Sequence, residues 1–103
     1  MIYQVVLTRE ALEDLLHLED FLVDAALRHG DFDLPTRAVA AIRNEFRILE
    51  TNPFTCRMAD SDPFERELII PFGASGYVAL FRILNDREVA VAAIRHQRED
   101  DYH

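Results

Sequence analysis

Lysine is absent from this sequence of 103 residues, and all 11 basic residues are arginine. The absence excludes a catalytic lysine, a Schiff base and the lysine of a phosphate-binding P-loop. Only two serines are present, Ser61 and Ser75, and neither lies in a nucleophile-elbow motif. A single cysteine, Cys56, can form no disulfide within the chain, and its spacing offers no zinc site.

Long apolar runs are also missing. No run approaches the roughly 18 residues that a membrane-spanning helix needs, and the first residues carry no basic signal-peptide region. Hydrophobic residues still make up 50% of the chain, which is enough for a core. We therefore expect one domain over residues 1–103, cytoplasmic and reduced, with no membrane association and no cofactor.

The charge is strongly acidic, with 19 Asp and Glu against 11 Arg and a net charge of -8. Most of the excess acid lies before residue 53, while the rest of the chain up to residue 98 is close to neutral. Such a chain does not bind phosphate backbones by bulk electrostatics. We expect no direct sequence-specific DNA binding by this chain alone.

Two amphipathic helices are predicted in the first half. Thr8 offers an N-cap hydroxyl, and apolar residues at helical spacing continue to a left-handed cap at Gly30. A second pattern begins at Pro35 and stops at Asn52. The short link between them predicts a helical hairpin over residues 8–52.

The second half changes to the period of two that is typical of strands. Strands are predicted at residues 2–7, 64–72, 77–84 and 88–95. Residues 53–63 have no period and predict a surface loop. Short turns join the last three strands, which favours an antiparallel meander. The fold class is α+β, in the order β-α-α-β-β-β, with the hairpin packed on an antiparallel sheet.

The meander is apolar on both faces, although two helices can cover only one. We expect Val78, Leu80, Val91 and Ala93 to share the free face, or their strand neighbours if the register is shifted by one. An exposed apolar face usually marks a binding site. Cover by the loop at 53–63 or by a homodimer is the alternative.

The last residues permit several interpretations. His96, Asp100 and His103 have spacing for a metal site, but the sequence offers nothing to support the ligands. His96 with Glu99 or Arg98 could act as an acid–base pair. The simplest interpretation is a strand end followed by a solvated charged tail.

Several segments together resemble the RelE/ParE superfamily of toxins from bacterial type II toxin–antitoxin modules. They are LTREA at 7–11, REL at 66–68, SGYVALFRI at 75–83 and above all AIRHQREDDY at 93–102, close to the ending of ParE-like plasmid-stabilisation proteins. The resemblance covers nearly the whole chain, and its family fold agrees with the predicted element order.

The resemblance implies one of two activities. RelE-like members cut mRNA in the ribosomal A site with a basic cluster on the open sheet face, whereas ParE-like members bind and poison DNA gyrase. The missing lysine, Val78 where the RelE pattern carries an arginine, and the acidic charge favour the ParE-like branch. In both branches an antitoxin wraps the toxin, partly over the sheet. An inactive toxin fold kept as a binding module is a third hypothesis.

Site residues follow from the two branches. For a nuclease they would be Arg95, Arg98 and Tyr102. For a partner surface, Arg66, Arg82 and Arg95 would bind acidic antitoxin groups beside the apolar anchors, and the stretch from Arg95 through His96 to Arg98 would contact the target. Pairing of the same arginines with Glu65, Glu67 or Glu88 at the strand ends is the alternative.

Overall fold

The two predicted helices are present. The structure, a computed structural model, describes residues 2–97. Helix α1 spans Arg9–His29; the Thr8 hydroxyl accepts a hydrogen bond from the Ala11 N–H at 3.2 Å, and Gly30 closes the helix with φ 74°. Helix α2 spans Leu34–Thr51 and has its proline in the first turn. Within residues 2–97, neither helix is long and apolar enough to cross a membrane.

The strands form one five-stranded sheet. They are β1 (Gln4–Leu7), β2 (Arg57–Met58), β3 (Glu65–Ile70), β4 (Tyr77–Ile83) and β5 (Glu88–His96), in the order β1-β5-β4-β3-β2. The α+β class and the predicted meander β3-β4-β5 are confirmed. The expectation of a purely antiparallel sheet is wrong, because β1 pairs with β5 in parallel.

The segment expected to be a loop also contains regular structure. Pro53–Thr55 form one turn of 3₁₀ helix, and Arg57–Met58 form β2, which pairs with Glu67 and Arg66 of β3. A two-residue strand is too short to show a period of two, so the sequence pattern could not reveal it.

The helical hairpin covers one face of the sheet, which we call the inner face. Its core combines Leu22, Ala38, Ile42 and Leu49 from the helices with Leu68, Ile70, Tyr77, Ala79, Phe81, Ile83, Val89, Val91 and Ile94 from the sheet. The opposite side, which we call the outer face, has no helix over it among residues 2–97.

A β-bulge corrects the predicted faces. Leu80 pairs with Ala93 and Phe81 pairs with Val91, so Ala92 has no partner on β4. The extra residue reverses the alternation within β5. Val91 therefore lies in the core at 0% exposure, and its predicted place on the free face beside Leu80 is wrong. The other three predicted anchors do share the outer face, because Val78, Leu80 and Ala93 lie on one side of the pairing.

The β3–β4 turn depends on Gly76, which has φ 111°. A Cβ there would lie 2.2 Å from the Ile70 carbonyl oxygen, which is backbone and cannot yield. We expect Gly76→Ala to lower the free energy of unfolding by more than about 2 kcal/mol, measured by urea unfolding.

Gly73 in the same turn is the matched control. It has φ 60°, and nothing lies within 4 Å of an added Cβ. Gly73→Ala should cost only the backbone strain of about 1 to 2 kcal/mol. Equal losses for the two variants would contradict a steric role of Gly76.

Candidate partner-binding surfaces

The outer face has an apolar band that crosses the sheet from Val6 of β1 to Ile69 of β3, with charged residues beside it on β3 and β4. Leu80 is partly exposed, and Val6 and Ile69 are each more than a third exposed. Val78 and Ala93 are each 9% exposed, so they form the floor of the band rather than its rim. The arrangement offers a flat apolar surface of modest area to a partner.

Arg82 lies on this face and forms an ion pair with Asp62 at 2.8 Å and a longer one with Glu65 at 3.5 Å. The Phe64 N–H and the Arg82 guanidinium hold the pKa of Asp62 below its usual value. Arg82 thus ties the end of β4 to the segment before β3, although nearly half of its side chain stays exposed.

Arg66 points to the other side of β3, where it binds backbone carbonyls. It donates to the carbonyl oxygens of Phe54, Cys56 and Pro63 at 2.8–2.9 Å, and its guanidinium lies 5.3 Å from the centre of the Phe54 ring. It therefore holds the 3₁₀ turn against β3. Burial raises the pKa of the Cys56 thiol, which argues against a reactive cysteine here.

A groove lies between α1 and the C-terminal end of β5. It has a volume of about 650 Å³, and its lining is Asp14, His17, Leu18, Phe21, Ile94, Arg95 and His96. Phe21, the one Phe, Tyr or Trp residue of α1, is 61% exposed. We call this the α1–β5 groove.

Asp14 closes the edge of β5 along this groove. β1 ends at Leu7 opposite Val91, so the next residues of β5 pair with β4 on one side and have no strand on the β1 side. There the Asp14 carboxylate accepts a hydrogen bond from the Ile94 N–H at 3.0 Å and forms an ion pair with Arg95. The Thr8 hydroxyl donates to the Ala92 carbonyl at 3.3 Å. Side chains of the first helical turns therefore replace a missing strand.

His96 ends β5 beside the β3–β4 turn. Its Nε2 lies 3.2 Å from the Ser75 hydroxyl, and its ring packs edge-on against Tyr77 at 5.6 Å. Burial raises the pKa of the Tyr77 phenol, so this ring stays neutral near pH 7. Within residues 2–97, no cluster of His, Cys, Asp and Glu is placed to hold a metal ion.

The structure brings some predicted site residues together and separates others. Arg95 and His96 both line the α1–β5 groove. Arg82 lies on the outer face of the sheet, whereas Arg66 lies on the inner face. The predicted contacts at Arg98 and Tyr102, and the candidate ligands Asp100 and His103, lie outside the described residues.

Sequence reasoning missed the α1 side of this groove. Asp14 and His17 lie on the polar side of the helical pattern and read as a solvated face. The signal available was Phe21, a large apolar residue about 100° around the helix from the buried Leu22.

The family model of the ParE toxin of the type II toxin–antitoxin system parDE matches residues 5–101. The chain belongs to the ParE toxin family. The expected toxin of a toxin–antitoxin module is thereby confirmed. No curated protein matches the ParE-family chain closely enough to count as a relative.

A solved structure has the same fold as this ParE-family chain. It comes from the chromosomal ParDE toxin–antitoxin system of P. aeruginosa and is 20% identical, with a TM-score of 0.66. The alignment covers 92% of this chain and 96% of that one. At this identity the similarity shows only that the two chains share a fold over nearly their whole length.

Asp14 gives a direct test of the sealed β5 edge. Its side chain is 18% exposed, and removing it would leave the Ile94 N–H without its acceptor. We expect Asp14→Ala to lower the free energy of unfolding by about 2 kcal/mol and to speed hydrogen exchange at the Ile94 amide.

The control is Asp24→Ala, which removes an exposed ion pair with Arg28 on the same helix. It should change stability by less than about 0.5 kcal/mol and leave the Ile94 amide unaffected. If Asp14→Ala behaved like this control, the carboxylate would not be sealing the edge.

Proposed function

We propose that this ParE-family chain acts by binding, with DNA gyrase as its target, and that a cognate antitoxin neutralises it by covering the outer face and the α1–β5 groove. Family membership supports the toxin role and the antitoxin partner. The target and the surfaces are supported by the contacts described above.

The observation that favours binding over RNA cleavage is the state of the three predicted arginines. Arg66 is bound by backbone carbonyls, Arg82 by two carboxylates and Arg95 by Asp14. A nuclease of the RelE kind needs cationic groups directed at the scissile phosphate. Guanidinium groups already bonded within the chain are poorly placed to stabilise a developing phosphate charge.

Val78 strengthens this argument, because it stands where a RelE-like chain would carry an arginine. It is a floor residue of the outer face, 9% exposed and paired across the ladder with Arg95. A small apolar side chain there suits contact with another apolar surface and supplies no charge to a reaction.

Arg95 connects the two proposed antitoxin surfaces. Its backbone pairs with Val78 on the sheet, while its side chain lines the groove beside Asp14. An antitoxin segment that folds on binding could therefore run from the outer face around the edge of β5 into the groove. Phe21 would be its largest apolar contact on α1.

Phe21→Ala tests the groove as an antitoxin site. We expect the dissociation constant for the cognate antitoxin to rise at least about tenfold, measured by calorimetry, because exposed aromatics in a groove are frequent hot spots. Hydrogen exchange with and without antitoxin should show new protection in β4 and β5.

Phe32→Ala is the matched control, since Phe32 is 73% exposed at the link between the helices and lies outside the groove lining. The dissociation constant of Phe32→Ala for the antitoxin should stay within about twofold of that of the unaltered protein. Equal effects of the two variants, or unchanged protection of β4, would contradict the proposed surface.

The target is tested with purified toxin in two assays. We expect loss of gyrase supercoiling with accumulation of cleaved DNA, and intact mRNA on translating ribosomes. Cuts at codon positions that disappear in Arg95→Ala, together with normal supercoiling, would overturn the gyrase proposal and favour the nuclease. A folded chain inactive in both assays would favour the inactive binding module.

A further inference from the structure

A second apolar surface lies on the helical hairpin, away from the sheet. On α1, four large apolar residues besides Phe21 are between 46% and 68% exposed: Leu12, Leu16, Val23 and Leu27. At 100° per residue they fall within about 60° of one another around the helix axis. They form a continuous stripe, which we call the α1 stripe, and neither the core nor the α1–β5 groove uses it.

The neighbouring surface of α2 is basic. Thr36, Ala40, Arg43 and Arg47 also fall within about 60° of one another, on the side opposite the buried Ala38, Ile42 and Leu49. Both arginines are exposed, and among residues 2–97 neither has a carboxylate within ion-pair distance. We call this the α2 basic face.

A shallow depression between the two helices relates their heights. Its volume is about 310 Å³, and it is lined by Glu19 of α1 and by Pro35, Thr36, Val39, Ala40 and Arg43 of α2. At 100° per residue, Glu19 and Asp20 lie on either side of the α1 stripe, and the depression places Ala40 and Arg43 of the α2 basic face near the height of Glu19. The hairpin presents apolar groups, acids and bases in adjacent strips.

We propose that this surface is self-complementary and binds a second copy of the chain. A two-fold axis parallel to the helices keeps every residue at its own height. It places α1 of one copy antiparallel to α2 of the other, so that the α1 stripe covers the depression at Ala40. Asp20 then meets Arg43 of the second copy, and the symmetric contact forms at the same time.

Charge favours a second copy over an unrelated acidic partner. The α1 stripe lies beside carboxylates, so whatever covers it must bring cations to the same height. The α2 basic face brings Arg43 to that height and Arg47 one helical turn further along. The four-helix packing leaves the outer face and the α1–β5 groove open, so this inference does not depend on the toxin's target.

The first test is the oligomeric state of the full-length toxin without antitoxin, measured by sedimentation velocity from about 1 to 100 μM. We expect a concentration-dependent dimer. Leu16→Glu should raise the dissociation constant at least about tenfold, because it places a charge in both halves of a symmetric apolar contact.

Leu84→Glu is the matched control, since Leu84 is 50% exposed and Leu16 is 51% exposed, but Leu84 lies after β4 and away from the hairpin. It should change the dissociation constant by less than about threefold. Circular dichroism establishes that both variants are folded. A monomer throughout the range, or equal effects of the two variants, would overturn the proposal.

The arrangement itself is tested by charge reversal at two exposed positions. Asp20→Arg and Arg43→Asp should each weaken the dimer about threefold or more, and the double variant should restore it, because the pair forms between copies. Failure of the double variant to recover would overturn the proposed pairing of α1 with α2. Dimerisation seen only with antitoxin present would overturn the second copy as the occupant.

Discussion

The parallel pairing of β1 with β5 is the constraint on which the rest of the molecule depends. It joins the first strand of the chain to the last, so everything between them must begin and end at the same edge of the sheet. The chain leaves β1 directly into α1 and returns along α2 over one face. Since both helices are used on that face, the outer face has no cover from residues 2–97.

The unequal lengths of these two strands create the groove. β1 stops at Leu7, but β5 continues to His96, and an unpaired strand edge exposes polar backbone groups. Thr8 and Asp14 satisfy part of this edge because the helix starts immediately beside it. The same geometry holds α1 away from the end of β5 and leaves space lined by Phe21 and His96.

The arginines show how far residue type alone can indicate a site. Arg66, Arg82 and Arg95 stand out in the sequence as cations within an apolar sheet, and all three are indeed partly exposed at its margins. The predicted alternative of pairing with a neighbouring Glu is present for Arg82 and Glu65. The other partners could not be predicted, because each bond crosses between elements: a 3₁₀ turn for Arg66, a preceding loop for Arg82 and a helix for Arg95. Because of these contacts, the three guanidinium groups are already bonded within the chain.

The helices, the meander and the α+β class can all be predicted from local sequence patterns. These follow from local periods, from the caps at Thr8 and Gly30, and from turns too short to permit any but antiparallel neighbours. The family resemblance was also available there, and the family match over residues 5–101 confirms it.

The position of β1 in the sheet and the face to which each side chain of β5 points depend on long-range packing. A parallel partner far along the chain leaves no local pattern, because register is fixed by packing of whole faces. The bulge at Ala92 corresponds to one weak signal in the sequence. The large residues Val89, Val91 and Ile94 are spaced by two and then by three, with Ala92 and Ala93 adjacent between them. The extra residue, Ala92, has a small side chain, and its insertion turns Ile94 into the core and Ala93 out of it.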